Sequence, residues 1–200
     1  MNYLLSRKIA LPTIEFLQIG WQPKVKFNEY SERILFPVRD MAGRVVTFQG
    51  RALFDWEKAK RPKYWHKKFL EGYGENFVKN RHLHGFYENA REAVRQGVFY
   101  LVEGQFDVAA LHACGLPAAS AMGSAFSEMQ MLMLAQTVGH LVHWKDPDSA
   151  GDKSNAKIIT LAKRWGVSLD TVVSDMDASQ YFQINGAKKT REYVEKFRSR

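Results

Sequence analysis

Apolar and polar positions along this 200-residue chain change period several times, and each change marks an element. Residues 1–20 (MNYLLSRKIALPTIEFLQIG) predict a short helix, a break and a second helix. Pro12 suits the first turn of that second helix, and Gly20 suits its stop. Ile34, Phe36 and Val38 then alternate with polar or turn-compatible positions, the period of a half-buried strand. Residues 40–43 supply a turn. Val45, Thr47 and Gln49 fall on one face of the next strand and Val46 and Phe48 on the other, so an antiparallel hairpin is expected. Residues 55–75 lose all periodicity and read as a long irregular connection, a length usually reserved for functional loops.

The rest of the chain alternates helix and strand. A helix is expected over 86–96. Val98 to Val102 is a continuous apolar run of the kind buried on both faces of a sheet. Helices are expected over 106–114, 126–137 and 150–165, with strands at 118–121, at 140–144 and near 166–173. This order argues for a parallel α/β sheet. The Met residues of the 126–137 helix read as core filling.

Charge divides the chain. Residues 1–97 hold 18 Lys and Arg against 10 Asp and Glu, whereas residues 98–200 hold 11 of each, so the net +8 belongs to the first part. Between Val98 and Asp148 the one basic residue is Lys145, against Glu103, Asp107, Glu128, Asp146 and Asp148. A basic half beside an acidic stretch suits a phosphate-tracking surface next to a divalent-metal site. No apolar run reaches the ~18–20 residues of a membrane span. The N-terminus lacks the apolar core and small-residue cleavage site of a secretory signal. Cys114 is the only cysteine, which excludes an intrachain disulfide and a multi-cysteine zinc site, and a cytoplasmic location is expected.

Two segments carry candidate chemistry. In the irregular connection Trp56, Tyr64, Trp65, Phe69 and Tyr73 interleave with Lys58, Lys60, Arg61, Lys63, Lys67 and Lys68. Rings that stack bases and cations that follow phosphates suit a single strand of nucleic acid; rings that anchor the loop to its own domain are the alternative. The second signal is carboxylate. Glu103 and Asp107 lie in VEGQFDVAAL, just past one expected strand, and Asp146 and Asp148 in HWKDPDSAG, just past another. Ligands of open α/β sheets bind beyond the carboxyl ends of strands, so the clusters can converge. Their mutual repulsion is relieved by a hard divalent cation such as Mg²⁺.

VEGQFDVAAL and HWKDPDSAG resemble the two signature motifs of the TOPRIM domain. YLLSRKIALPTIEFLQIGW, RILFPVRDMAGRVVTFQGRAL, RPKYW and KNRHLHGFYENAREAV resemble, in that order, blocks of the DnaG-type primase catalytic core, and the resemblance spans roughly residues 3–185. It implies an α/β chain in two parts: an α+β subdomain over 1–97 with a basic groove for template and nucleotide, then a TOPRIM subdomain over 98–200 with a mainly parallel sheet and a C-terminal helix. It also implies metal-dependent synthesis of short RNA primers on single-stranded DNA from ribonucleoside triphosphates, with Mg²⁺ or Mn²⁺ and no zinc. Carried over, Glu103, Asp146 and Asp148 are the catalytic acids. Glu103, Asp107, Asp146, Asp148 and Asp177 are the metal set, with Asp175 as rival to Asp177. Arg33, Arg39, Arg44, Arg51, Lys63, Tyr64 and His66 are the nucleotide and template positions.

The chain departs from that family in several places. Its zinc-binding module and helicase-binding domain are absent from this sequence. A compact phage- or plasmid-borne core, or a fragment of a longer primase, is therefore expected. It would work in the cytoplasm of a bacterial or phage-infected cell, with a replicative helicase or a separate zinc-bearing template-recognition protein as partner. His66 stands where the family has Asn, and His84 where it has Tyr. His82 and His84 read as helix-end or surface residues, with metal ligation as the alternative, and His112, His140, Cys114, Tyr181 and Phe182 read as structural. Ser124 reads as a turn residue, not a nucleophile. A TOPRIM nuclease and a catalytically silent nucleic-acid-binding accessory are the competing functions.

Overall fold

The structure is a computed structural model that describes residues 2–26, 28–53, 61–67, 77–123 and 125–199. Two short helices open the chain, α1 (Asn2–Ser6) and α2 (Leu11–Phe16), with Pro12 in the first turn of α2 as expected. Gly20 does not stop α2. The chain turns earlier, at Gln18, which takes a left-handed φ of 50°, and Gly20 begins strand β1 (Gly20–Gln22). The hairpin follows as β2 (Arg33–Arg39) and β3 (Val45–Ala52), with a register shift at Val38/Arg39. Tyr64–His66, expected in a loop, form a short strand β4 that pairs with β3. The four strands make an antiparallel sheet in the order β1-β2-β3-β4. Pro37 is tolerated in β2 because β1 pairs only with Arg33–Leu35 and leaves it no ladder partner on that side.

A single 3₁₀ turn at Lys79–Arg81 leads to α3 (Phe86–Gln96), closed by Gly97 in the left-handed region. Strands β5 (Phe99–Val102), β6 (Ala118–Ser120), β7 (His140–Lys145) and β8 (Ser168–Val173) then alternate with helices. These are α4 (Gln105–Ala113), α5 (Glu128–Ala135), α6 (Ser149–Arg164) and α7 (Ala178–Glu195). All strand pairs in this second sheet are parallel, and the order is β6-β5-β7-β8. The class is α/β, as expected.

That order positions the site. The chain runs outward from β5 to β6, returns past β5 to β7, and continues to β8. The direction of winding reverses between β5 and β7, which pair directly (Phe99↔Leu141, Leu101↔His143). A crevice opens at such a reversal, beyond the carboxyl ends of the two strands. All four residues of β5 are buried, which explains its unbroken apolar run.

The largest apolar cluster joins the two sheets. Leu4, Ile9, Ile14, Leu17, Ile34 and Phe36 from the first part pack with Val98, Tyr100, Val108, Leu111 and Trp144 from the second. The 97/98 division expected from charge is therefore crossed by continuous core. A second cluster lies on the other face of the parallel sheet. Met131 and Met133 are buried in it, as expected of core filling.

Candidate active site

The pairing of β5 with β7 brings Glu103 and Asp146 to neighbouring strand ends. Asp148 caps α6, accepting from the Gly151 amide at 2.7 Å, and Asp177 caps α7, accepting from the Gln180 amide at 2.7 Å. Gly151 is required by space: a Cβ there would lie 2.2 Å from the Asp146 carbonyl oxygen. The helix start can thus press against the turn that carries both acids.

Electrostatics show that the acids share one field. Burial pushes Asp146 up to about 7, with added repulsion from Glu103, Asp177 and Asp148. Burial and the Asp148 charge raise Glu103. Burial, then Asp177 and Asp146, hold Asp107 well above the usual carboxylate range. Asp175 is exposed, and its charge is felt at Tyr181 instead, so Asp177 is the one that faces the cluster.

Asp107 also holds backbone in place. Its side chain is buried, and its two oxygens accept from the Gly104 amide at 3.1 Å and the Ser179 amide at 2.9 Å. It ties the start of α7 to the loop carrying Glu103, and both oxygens are already engaged.

The cations opposite come from β3, from the residue before β4 and from the turn after α1. Arg7, Arg51, Lys63 and Tyr64 line a cavity of about 350 Å³ with Asp107, Asp177, Gln180 and Gln183. Arg7 lies over the Tyr3 and Phe106 rings, 5.1 and 4.6 Å from their centroids, with Nη1 3.5 Å from Ser179 Oγ. Arg51 covers the Tyr64 ring at 5.5 Å. Burial pushes the Tyr64 phenol up to about 12.

The donor set fits a divalent cation. Glu103 Oε1 is buried and takes no hydrogen bond, and Asp146, beside it, is crowded by like charge. Hard carboxylate oxygens in mutual repulsion are what such an ion relieves. Among the described residues no three His, Cys, Asp or Glu stand close enough to enclose an ion by themselves. That arrangement leaves coordination positions for water and phosphate oxygens, the usual habit of Mg²⁺.

Comparison with known proteins supplies the family. Residues 24–90 match the family described as DNA primase catalytic core, N-terminal domain, and residues 100–182 match the family described as Toprim-like. The DNA primase of Borreliella burgdorferi is 31% identical over 175 residues, covering 87% of this chain and 32% of that protein. The chain belongs to the DnaG-type primase catalytic-core family. The DNA primase of Synechococcus elongatus is 32% identical over 178 residues, 84% of this chain and 24% of that protein. The chain thus spans about a quarter to a third of the curated primases it matches. Among solved structures, the zinc-binding and RNA polymerase domains of Aquifex aeolicus primase superpose with TM-score 0.84 at 22% identity, covering 98% of this chain and 55% of that one. The E. coli primase catalytic core gives 0.79 at 24% identity, covering 98% and 72%.

Within this DnaG-type core, the structure brings only part of the expected basic set to the acids. Arg51, Lys63 and Tyr64 are there. Arg33 is not: it is 1% exposed and donates to backbone carbonyls, so it cannot reach a phosphate. Arg39 pairs with Glu88 at 3.1 Å, bonds the Gly43 carbonyl and reaches Gln18. Arg44 pairs with Asp40 at 2.8 Å on the hairpin turn. Arg39 lines a separate cleft with Phe16, Met41, Tyr87 and Arg91, which shares no residue with the acid cavity. His66 is half-buried, its ring 5.0 Å from Phe77.

Trp56, Lys58, Lys60, Lys68, Phe69, Tyr73 and Ser124 lie outside the described residues. Trp65 packs edge-on to Tyr30 at 4.7 Å, an anchoring role. His112 and His140 are placed as structural residues, bonded to Asn89 and Asp170, whereas His84, expected at a helix end or on the surface, is fully buried and bonds the Pro37 carbonyl because β6 covers it. No described helix is long and apolar enough to cross a membrane.

Sequence reasoning missed Arg7, although it lies in the first resembling block. It also missed Lys79, whose Nζ sits 2.8 Å from where a Cβ on Gly123 would be. Gly123 donates its amide to the Glu103 carbonyl, so Lys79 stands beside the strand end that bears the catalytic candidate. Burial lowers its pKa.

Proposed function

We propose that this chain is the catalytic core of a DNA primase, joining ribonucleotides into short primers on single-stranded DNA. The observation that carries this reading is one cavity lined from two sides: Arg7 after α1, Arg51 from β3 and Lys63 just before β4 on one, Asp107 from α4 and Asp177 at the start of α7 on the other. Cations placed across from an acid cluster match the needs of nucleotidyl transfer, where a triphosphate must be held against a divalent-metal site. The solved relative described as the DnaG primase catalytic domain bound to ssDNA supports the choice of template.

In this reading Arg51, Lys63 and Arg7 grip the triphosphate, and Glu103, Asp146 and Asp148 would supply carboxylate oxygens to Mg²⁺ or Mn²⁺, the remaining positions being left to water and phosphate. When bound, such ions neutralise phosphate charge and lower the pKa of an attacking hydroxyl. The primer 3′-hydroxyl oxygen attacks the α-phosphorus, and the bond to pyrophosphate breaks. Glu103 Oε1, buried without a donor, is the atom placed to bind an ion or to take the hydroxyl proton. Asp107 and Asp177 fix the loops on either side. Phosphate contacts of this kind make template binding salt-sensitive and sequence-tolerant. The setting is the cytoplasm, with template recognition or helicase contact contributed by a partner.

The test is primer synthesis from labelled ribonucleotides with Mg²⁺ or Mn²⁺ on a panel of single-stranded templates. Primers that vanish in Asp146→Ala support the proposal. Template cleavage without synthesis would replace it with a nuclease. Binding unaffected by Asp146→Ala and Asp148→Ala, with no synthesis, would replace it with an accessory role.

A further inference from the structure

Arg33 differs from the other charged side chains of the antiparallel sheet. It is 1% exposed, and its recorded partners are all backbone carbonyls. A buried charge without a carboxylate is costly unless hydrogen bonds compensate it. Here Nε donates to the Glu29 carbonyl at 2.8 Å. Nη1 donates to the carbonyls of Gly50 at 3.1 Å, Pro62 at 3.0 Å and Lys63 at 3.3 Å. A leucine would fill the same space without the desolvation penalty. What it could not do is tie a β3 carbonyl to those of the segments leading into β2 and β4 at once.

Those carbonyls are next to the cations of the acid cavity. Gly50 precedes Arg51, and Pro62 and Lys63 precede Tyr64, which pairs with Arg51 across the sheet. The Lys63 carbonyl also accepts from the Ala52 amide at 2.9 Å. Strand β4 pairs over three residues only, so ladder bonds give Lys63 a weak foundation. Arg61 braces the same corner, with Nη2 donating to the Ser31 carbonyl at 2.7 Å and the Glu29 carbonyl at 3.2 Å. Burial first, then the charges of Arg61 and Arg51, lower the basicity of Arg33. The corner is a set of like charges held together by backbone dipoles.

The geometry points to Arg33 as a positioning residue that sets the separation of Arg51 and Lys63, and through it the grip on the triphosphate of an incoming nucleotide. This rests on the primase reading of the acid cavity. It also provides an independent handle. A Cβ on Gly50 would lie 2.8 Å from Arg33 Cδ and 2.9 Å from Tyr30 Cδ1, so Gly50→Ala displaces the Arg33 side chain without removing it.

The experiment compares Arg33→Lys, Gly50→Ala and a stability control, Ile14→Ala, which opens the shared apolar core away from the basic corner. Each purified full chain is measured for equilibrium binding of a fluorescent ATP analogue with Mg²⁺, for primer synthesis against nucleotide concentration, and for Tm. Arg33→Lys and Gly50→Ala are expected to weaken nucleotide binding and raise KM by about tenfold with kcat changed less than about twofold, the pattern of lost uniform binding. Ile14→Ala is expected to lower Tm while leaving Kd and KM at wild-type values. Unchanged Kd and KM in a folded Arg33→Lys or Gly50→Ala overturn the inference, and so does an equal change in Ile14→Ala. If Arg33→Lys fails to fold, Gly50→Ala decides. A wild-type chain that binds the analogue but makes no primer overturns the primase reading alone, and the inference is then judged on Kd. A wild-type chain that binds no analogue overturns the inference.

Discussion

Gly151→Ala separates the stability of the fold from the accuracy of the acid site. Gly151 is buried in the first turn of α6, and its amide satisfies the Asp148 carboxylate at 2.7 Å. A Cβ at this position meets the Asp146 carbonyl oxygen at 2.2 Å and its carbon at 2.9 Å. Both are backbone atoms, so no side chain can swing aside. Restoring ordinary contact distances requires the helix start and the Asp146 peptide to part by about 1 Å. Forced overpacking of this kind costs about 1–3 kcal/mol. Against it, alanine is favoured over glycine in a helix by about 1 kcal/mol. The net loss expected in urea denaturation is thus about 0–2 kcal/mol, which leaves the chain folded. The functional effect is larger, because a displacement of about 1 Å at a reacting centre can lower the rate by about 100-fold. Primer synthesis titrated with Mg²⁺ is expected to show that loss at saturating nucleotide, with Kd for the nucleotide near wild type. Activity within about twofold of wild type in the folded variant would refute the claim that α6 and the Asp146–Asp148 turn are in fixed contact.

Three further outcomes are expected. Arg51→Ala and Lys63→Ala weaken nucleotide or template use while leaving metal binding intact, and equal activity in both variants removes them from the grip. Gly186 interrupts α7 at φ 76°, ψ 171°, a region that only glycine adopts readily, so Gly186→Ala loses about 1–3 kcal/mol in urea denaturation. Burial pushes His143 down to about 4 while it bonds Asn155 at 2.9 Å. The unfolded chain therefore takes up a proton below about 6.5 that the folded chain refuses until about 4. Its stabilising contribution is complete above that window and is lost as pH falls through it, by up to about 1.4 kcal/mol per pH unit. The raised acids Glu103, Asp107 and Asp146 act in the opposite sense, so the comparison is with His143→Gln. Between pH 6.5 and 4 the slope of stability against pH should be lower by up to one proton in the variant, measured by denaturation across that range, and identical slopes would contradict the assignment.

Much of the acid site was legible because it depends on strand ends. A continuous apolar run locates a strand buried on both faces, and Glu103 or Asp146 after such a run must lie at its carboxyl end. What the sequence could not supply is the order of strands. Only the direct pairing of β5 with β7 makes the two ends neighbours. The basic side was less legible, since an arginine in a strand looks the same whether it faces solvent, as Arg44 does on its turn, or carbonyls, as Arg33 does. Arg7 shows the same limit: its partner Ser179 lies 172 positions away.

The sequence by itself determined the α/β class, the hairpin, the alternation of strands and helices, the partition of charge and the two carboxylate motifs. These follow from local rules of period, capping and turn chemistry, which act within a few residues. Only the tertiary structure decided the assignment of tasks. It gave Asp107 a second task as a brace between two loops, because its oxygens meet the Gly104 and Ser179 amides. It moved Arg33 from the groove to the interior, because four carbonyls converge there. It brought Arg7 and Lys79 into the site. Those outcomes depend on which groups meet after the two sheets share one core, and that meeting is set by packing over the whole chain.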